Sequence, residues 1–179
     1  MRALLALPLL TACSTAVVAP LLPSYRDADV PIASKADFDP VRYAGRWYEV
    51  ARFPVPFQQG CAGAIADYGP PRGDLLAIRN TCLDEDGQPI RDIEGTARID
   101  GPGRLQVVFD GIPFVAPYWV LWVDSGYRTA VVGQPDGRAG WILNRDPDIP
   151  PDRLQAALDV LDFNGYRTEE LRLSSASRN

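Results

Sequence analysis

From Gly45 onward, apolar and polar positions alternate in short runs separated by turn residues. Arg46 to Phe53, Cys61 to Tyr68, Asp74 to Cys82, Arg91 to Asp100, Arg104 to Asp110, Tyr118 to Asp124, Arg128 to Gln134 and Gly140 to Arg145 each read as a β-strand. The tracts between them are short and rich in Gly, Pro, Asp and Ser, as in Asp84-Glu85-Asp86-Gly87, Gly101-Pro102-Gly103, Asp124-Ser125-Gly126 and Gln134-Pro135-Asp136-Gly137. Connections of that length join neighbours, so the pattern predicts an all-β fold, an eight-stranded antiparallel up-and-down barrel. The period then changes. Leu154, Ala157, Leu158 and Leu161 recur at helical spacing between Pro150-Pro151-Asp152 and Asn164-Gly165, a start and a stop for one C-terminal α-helix packed outside the barrel. Leu171-Arg172-Leu173 offers a short final strand.

The amino terminus follows another pattern. Arg2 precedes an apolar run from Ala3 to Leu10, and Leu10-Thr11-Ala12-Cys13 ends it with small residues before a cysteine. This resembles a bacterial lipoprotein signal, with residues 1–12 as the export peptide and Cys13 as the lipidated first residue of the mature chain. In such lipoproteins Ser14, rather than Asp, after the cysteine implies anchoring in the outer membrane, facing the periplasm. An uncleaved anchor over Ala3 to Pro23 is the alternative, and Pro8, Pro20 and Pro23 make it a poor spanning helix. Residues 13–36, rich in Ala, Pro, Val and Ser, read as the lipidated N-terminus and a tether. The folded domain is expected over 37–174, followed by a tail over 175–179.

Composition narrows the chemistry. With 46% hydrophobic and 23% charged residues, the chain of 179 residues can build one core. A net charge of −5 argues against nucleic acid as a partner. The chain has no histidine, which removes every mechanism that needs a His base, a His-paired nucleophile or a His metal ligand. No metal site, cofactor or catalytic residue stands out. Three cysteines leave one over if two pair. With Gly69 facing Asp74 across the turn between the second and third strands, Cys61 faces Cys82, close enough to bridge. In an oxidising compartment that bridge closes a loop of about 20 residues and contributes about 3 kcal/mol in the chain-entropy picture. Two free thiols or a reactive cysteine are the other readings.

Gly45-Arg46-Trp47-Tyr48-Glu49-Val50-Ala51-Arg52 resembles the opening motif of the lipocalins, Asp124 to Ala130 a degenerate form of the second, and Trp141-Ile142-Leu143-Asn144-Arg145 the third. All three stand in order, with the helix after the eighth strand. The resemblance runs from about Phe38 to Leu173 and is nearest to the bacterial outer-membrane lipoprotein branch and to apolipoprotein D. It implies that Trp47 closes the barrel base with Arg145 lying across its ring, a structural pair. Ser125-Gly126-Tyr127 departs from the family's usual order in the second motif.

A barrel of eight strands can hold one small ligand. Alternation from Arg145 points Leu143 and Trp141 inward. The same register that pairs the cysteines sets Tyr68 opposite Leu75, Ala66 opposite Ala77 and Ala64 opposite Arg79, and this face is assigned to the lumen. Ile93, Gly95, Ala97 and Ile99 follow inward, with Leu105, Val107 and Phe109, and on the sixth strand Tyr118, Val120 and Trp122. The candidate ligand-binding residues are therefore Tyr68, Ala77, Arg79, Phe109, Tyr118, Val120, Trp141 and Leu143. An apolar, aromatic cavity with the Arg79 guanidinium as its cation suits a fatty acid or lysophospholipid held by its chain and its anionic head.

The expected function is a membrane-anchored periplasmic carrier that binds, stores or transports such a ligand for envelope maintenance. Three alternatives stay open. One is a core filled by its own side chains, with Arg79 satisfied by Glu49 or solvent. Another is a lipocalin-fold enzyme, for which lipidation and pairing leave no free cysteine, though Glu49 remains as a base. The last is an interaction protein acting through the rim loop Phe53-Pro54-Val55-Pro56-Phe57, whose aromatics could also touch the membrane or gate the mouth. A homodimer is also open.

Overall fold

The computed structural model describes residues 23–175. Nine strands follow one another: β1 (Gly45–Arg52), β2 (Gly63–Tyr68), β3 (Leu75–Leu83), β4 (Pro89–Gly101), β5 (Arg104–Phe109), β6 (Ala116–Val123), β7 (Thr129–Gly133), β8 (Gly140–Asn144) and β9 (Arg172–Leu173). Each of the first seven pairs antiparallel with its successor, and β1 pairs with both β2 and β8, which closes the barrel. Closure satisfies the ladder groups that an open sheet leaves at its edges. β9 adds to the outer part of β1, through Ala51–Leu173 and Arg52–Arg172.

Two apolar layers result. The lumen holds Trp47, Tyr68, Leu76, Ile78, Ala97, Leu105, Val107, Val120 and Leu143. A second layer, outside the wall, packs Val50, Ala51, Phe53, Leu121, Val131 and Ile142 against helix α2 (Pro151–Phe163), which contributes Ala157 and Leu161. Strands buried on both faces lose simple alternation, and here bulges reset it. The β1–β8 register shifts between Glu49 and Ala51, so Trp47 and Glu49 face inward while Val50 and Ala51 both turn to the outer layer. A second shift lies between Val120 and Trp122. It turns Trp122 outward and puts Val123 in the lumen, reversing the inward placement expected for Trp122.

The β2–β3 hairpin also departs from expectation. Its tip is the two-residue turn Gly73-Asp74, closed by Arg72 facing Leu75, and Gly69 pairs with Ala77 instead of Asp74. Gly73 has φ +66°, a conformation suited to a residue without a β-carbon. Treating Gly69 to Asp74 as one loop misplaced the register by three residues. Because side chains alternate with period two, that odd slip exchanges the faces of β3. Leu76, Ile78 and Asn80 point inward, and Ala77 and Arg79 face solvent.

The segment before the barrel is not free of it. Tyr25 N–H donates to Gly137 O (2.7 Å) and the Tyr25 hydroxyl donates to Pro54 O, while the ring stacks on Phe53. The buried Arg26 guanidinium donates to Asn164 O (2.8 Å), and Lys35 N–H donates to Val120 O (2.8 Å). The tether expected over 13–36 is therefore, from Ser24 onward, a strap along the barrel wall, and the folded part begins well before residue 37. The short helix α1 (Pro40–Tyr43), capped by the Asp39 carboxylate, follows the strap and inserts Tyr43 under the barrel. The signal segment and Cys13 lie outside the described residues.

Candidate functional site

The two ends of the barrel differ. At the base, the fully buried Trp47 donates its indole N–H to Tyr43 O (2.8 Å), and the Arg145 guanidinium lies 3.8 Å from the centre of its ring. That guanidinium also donates to the carbonyls of Arg42 (2.8 Å), Ala44 (2.9 Å), Tyr43 (3.2 Å), Arg46 (2.7 Å) and Tyr127 (3.2 Å). It thus ties α1, the start of β1 and the β6–β7 turn to one planar group. Burial lowers the pKa of Arg145 from its ordinary value, yet an arginine stays charged at any physiological pH.

Above this plug sit three phenols. Tyr68 donates to the Tyr118 hydroxyl (2.8 Å), and Tyr118 and Tyr43 share a second bond (2.8 Å). Burial pushes the Tyr68 phenol up to about 12 and holds Tyr43 and Tyr118 well above the usual tyrosine range, so all three are neutral. Three hydroxyls carry three protons and two close the two links. One is left to offer to a bound group.

The lumen above opens into a cavity of about 300 Å³. Tyr68, Phe109, Tyr118, Trp141 and Leu143 line it with Ala64, Ala66, Ile78, Ile93 and Val107. The Tyr118 and Trp141 rings stack with centroids 6.2 Å apart. Val120 belongs to the same apolar layer beneath. Ala77 and Arg79 do not belong to the site. Arg79 lies on the outer surface beside Asp92 (3.0 Å) and Glu94 (3.8 Å), because the register slip turned its face of β3 outward. Cys61, in the mouth loop, and Cys82, on β3, form a disulfide with Cα atoms 5.3 Å apart, although Cys82 faces Ala64 in the ladder.

Four polar side chains replace the expected Arg79. Glu49 lines the cavity, and its carboxylate accepts from Ser174 Oγ (2.7 Å), Gln58 Nε2 (2.6 Å) and the Arg52 guanidinium. Gln58 in turn accepts from the Trp141 indole N–H (3.0 Å), so the turn Pro56–Gln58 is latched to the neighbouring strands β1 and β8. Arg91 stands opposite Cys82 at the lip, with its guanidinium 3.3 Å from both Phe57 O and Cys61 Sγ. Asn80 lies between Ala66 and Ile93 across the ladders, and its Oδ1 is buried without a hydrogen-bond partner. Glu49 and Arg91 were readable: Glu49 shares the parity of Trp47, and Arg91 that of Ile93. Gln58 lies in a loop that carries no such signal. Asn80 was hidden by the slipped register.

The rim is divided. Phe53 is buried against Tyr25 and Tyr166, while Phe57 is 64% exposed at the lip.

The lipocalin-like domain family matches residues 38–176. Outer membrane lipoprotein Blc of Escherichia coli (strain K12) is 37% identical over 133 residues, covering 73% of this chain and 75% of its own length. Apolipoprotein D of Bos taurus is 31% identical over 147 residues, covering 77% of each. Insecticyanin from the tobacco hornworm Manduca sexta superposes with a TM-score of 0.65 at 20% identity, over 85% of this chain and 86% of that one, a likeness of fold.

Proposed function

This chain belongs to the lipocalin-like family, a family of ligand-binding carriers rather than enzymes, and from that premise we propose that it is a lipid-anchored outer-membrane carrier of single-chain lipids. The observation that carries the reading is the apolar, aromatic cavity of about 300 Å³, open at one end and sealed at the other. A fatty acid or lysophospholipid chain gains about 25 cal/mol for each Å² of apolar surface it buries there. Tyr68, Phe109, Tyr118, Trp141 and Leu143 supply that surface. Arg91 at the lip meets an anionic head, the part first assigned to Arg79. Cys13 carries the acyl anchor, and the likeness to outer membrane lipoprotein Blc supports the outer membrane as its destination.

Native mass spectrometry of the folded chain, followed by displacement of a fluorescent fatty acid or lysophospholipid, tests the carrier reading. Saturable binding at one site is expected; its absence rejects it. Arg91→Ala weakens an anionic lipid about tenfold more than a neutral one of the same chain length, whereas Arg79→Ala changes neither. Cys13→Ser releases the protein from the membrane fraction.

A further inference from the structure

Six of the nine exposed large apolar side chains among the described residues lie on the open end of the barrel: Phe57, Ile90, Phe114, Val115, Phe163 and Leu173. They come from separate elements. Phe57 sits in the loop after β1, Ile90 at the start of β4, Phe114 and Val115 before β6, Phe163 at the end of α2 and Leu173 on β9. Exposed apolar side chains gathered on one end of a molecule mark an interaction site, and two of these, Phe57 and Phe114, also line the cavity.

The strap begins on the same end. Ser24 Oγ donates to Asp136 O (3.0 Å) and Tyr25 N–H to Gly137 O in the β7–β8 turn, and the segment then runs to the base, where Lys35 meets Val120. Pro23 follows Cys13 by ten positions, a reach of at most about 35 Å. A chain anchored at Cys13 therefore joins the barrel at its open end, within about 35 Å of the membrane that holds the anchor.

We infer that the open end docks on the bilayer to which the chain is tethered, so that a lipid passes between bilayer and cavity without crossing water. The inference rests on the carrier reading and on the anchor at Cys13. The β3–β4 turn on this end carries Asp84, Glu85 and Asp86, which a strongly anionic surface repels. The surface it fits is a zwitterionic lipid one, entered by apolar side chains.

The test uses the mature chain from residue 13 with Cys13→Ser, without the apolar export peptide and the acyl anchor, so that the rim alone provides contact, and a fluorescent fatty acid moving to phosphatidylcholine vesicles. For a docking mouth, the transfer rate rises with vesicle concentration. The pair Ile90→Asp and Val115→Asp, neither of which lines the cavity, lowers vesicle association about tenfold and removes that dependence. Val41→Asp, equally exposed at the base, changes neither. Adding anionic lipid does not strengthen association. Concentration-independent transfer by the unaltered rim, or equal losses from Val41→Asp, overturns docking. If the fatty acid fails to bind in vesicle-free solution, the carrier reading falls instead.

Discussion

The base and the mouth of the barrel are made of the same strands, yet they solve opposite problems. At the base the polar groups are held by one another: the Arg145 guanidinium has five carbonyls and an indole face, and two hydrogen bonds link the three phenols, with one proton left toward the cavity. In the cavity and at its mouth Asn80 Oδ1 is buried unpaired, Phe57, Phe114 and Val115 face solvent, and a glutamine side chain links the mouth loop to β1 and β8. A saturated end has one arrangement and holds the fold. An unsaturated end has polar and apolar capacity left for something that is not protein. The comparison teaches that stability and binding occupy different halves of one barrel, and substitutions in the two halves should separate them.

The largest effect is expected at the base. Trp47→Ala leaves a large void and strips Arg145 of its ring, lowering stability by about 4 kcal/mol in chemical denaturation, with ligand affinity of the still-folded protein little changed. A parallel loss of affinity at permissive temperature breaks the division. Replacing Cys61 and Cys82 by Ser frees the mouth loop from β3 and costs about 3 kcal/mol, and here affinity falls as well, since Arg91 loses its neighbour.

The phenols give the base a signature in pH. Unfolded tyrosines ionise near 10, while burial keeps folded Tyr68 protonated to about 12 and Tyr43 and Tyr118 beyond the ordinary range. The folded state thus retains protons that the unfolded state has lost. The stability this represents is whole below pH 10 and is lost as pH rises through about 12, at about 1.4 kcal/mol per pH unit for each phenol. Urea midpoints between pH 9 and 12, with Tyr68→Phe reducing the slope, check it. The smallest effect is at the mouth and has the opposite sign. Asn80→Leu removes an unpaired buried acceptor and stabilises the empty protein by about 1 kcal/mol, read as a higher denaturation midpoint; a lower midpoint shows that the amide has a partner after all.

The base was also the more legible half. Trp47 and Arg145 follow from two short motifs, and all eight strands, the helix and the closing strand lie within a few residues of where alternation and turn residues set them. Inward faces read from a single strand held on β2, β4, β5 and β8. What failed were features that depend on one extra residue. The bulge at Val120–Trp122 and the tip at Gly73-Asp74 each change the parity of a strand, and hydrophobicity does not mark either, because both faces of β6 are apolar and the prolines of the turn fit several lengths. Arg79 was lost from the lumen in this way. The packing of Tyr25 and Arg26 was invisible for another reason: a segment rich in Ala, Pro and Val has no period from which docking can be read.

One seam of the barrel bears on the order of events in the life of the chain. β1 pairs with β2 only from Gly45 to Tyr48; beyond that the gap is bridged by the last described residues, with Ser174 N–H donating to Val50 O (2.8 Å) and Ser175 N–H to Ala62 O (3.0 Å). The first strand emerges from any ribosome or translocation pore more than a hundred residues before the groups that complete its hydrogen bonding. Glu49, whose carboxylate needs Ser174, waits with it. The base can assemble while the chain is still arriving, but the mouth cannot be finished until residues 172–175 are out.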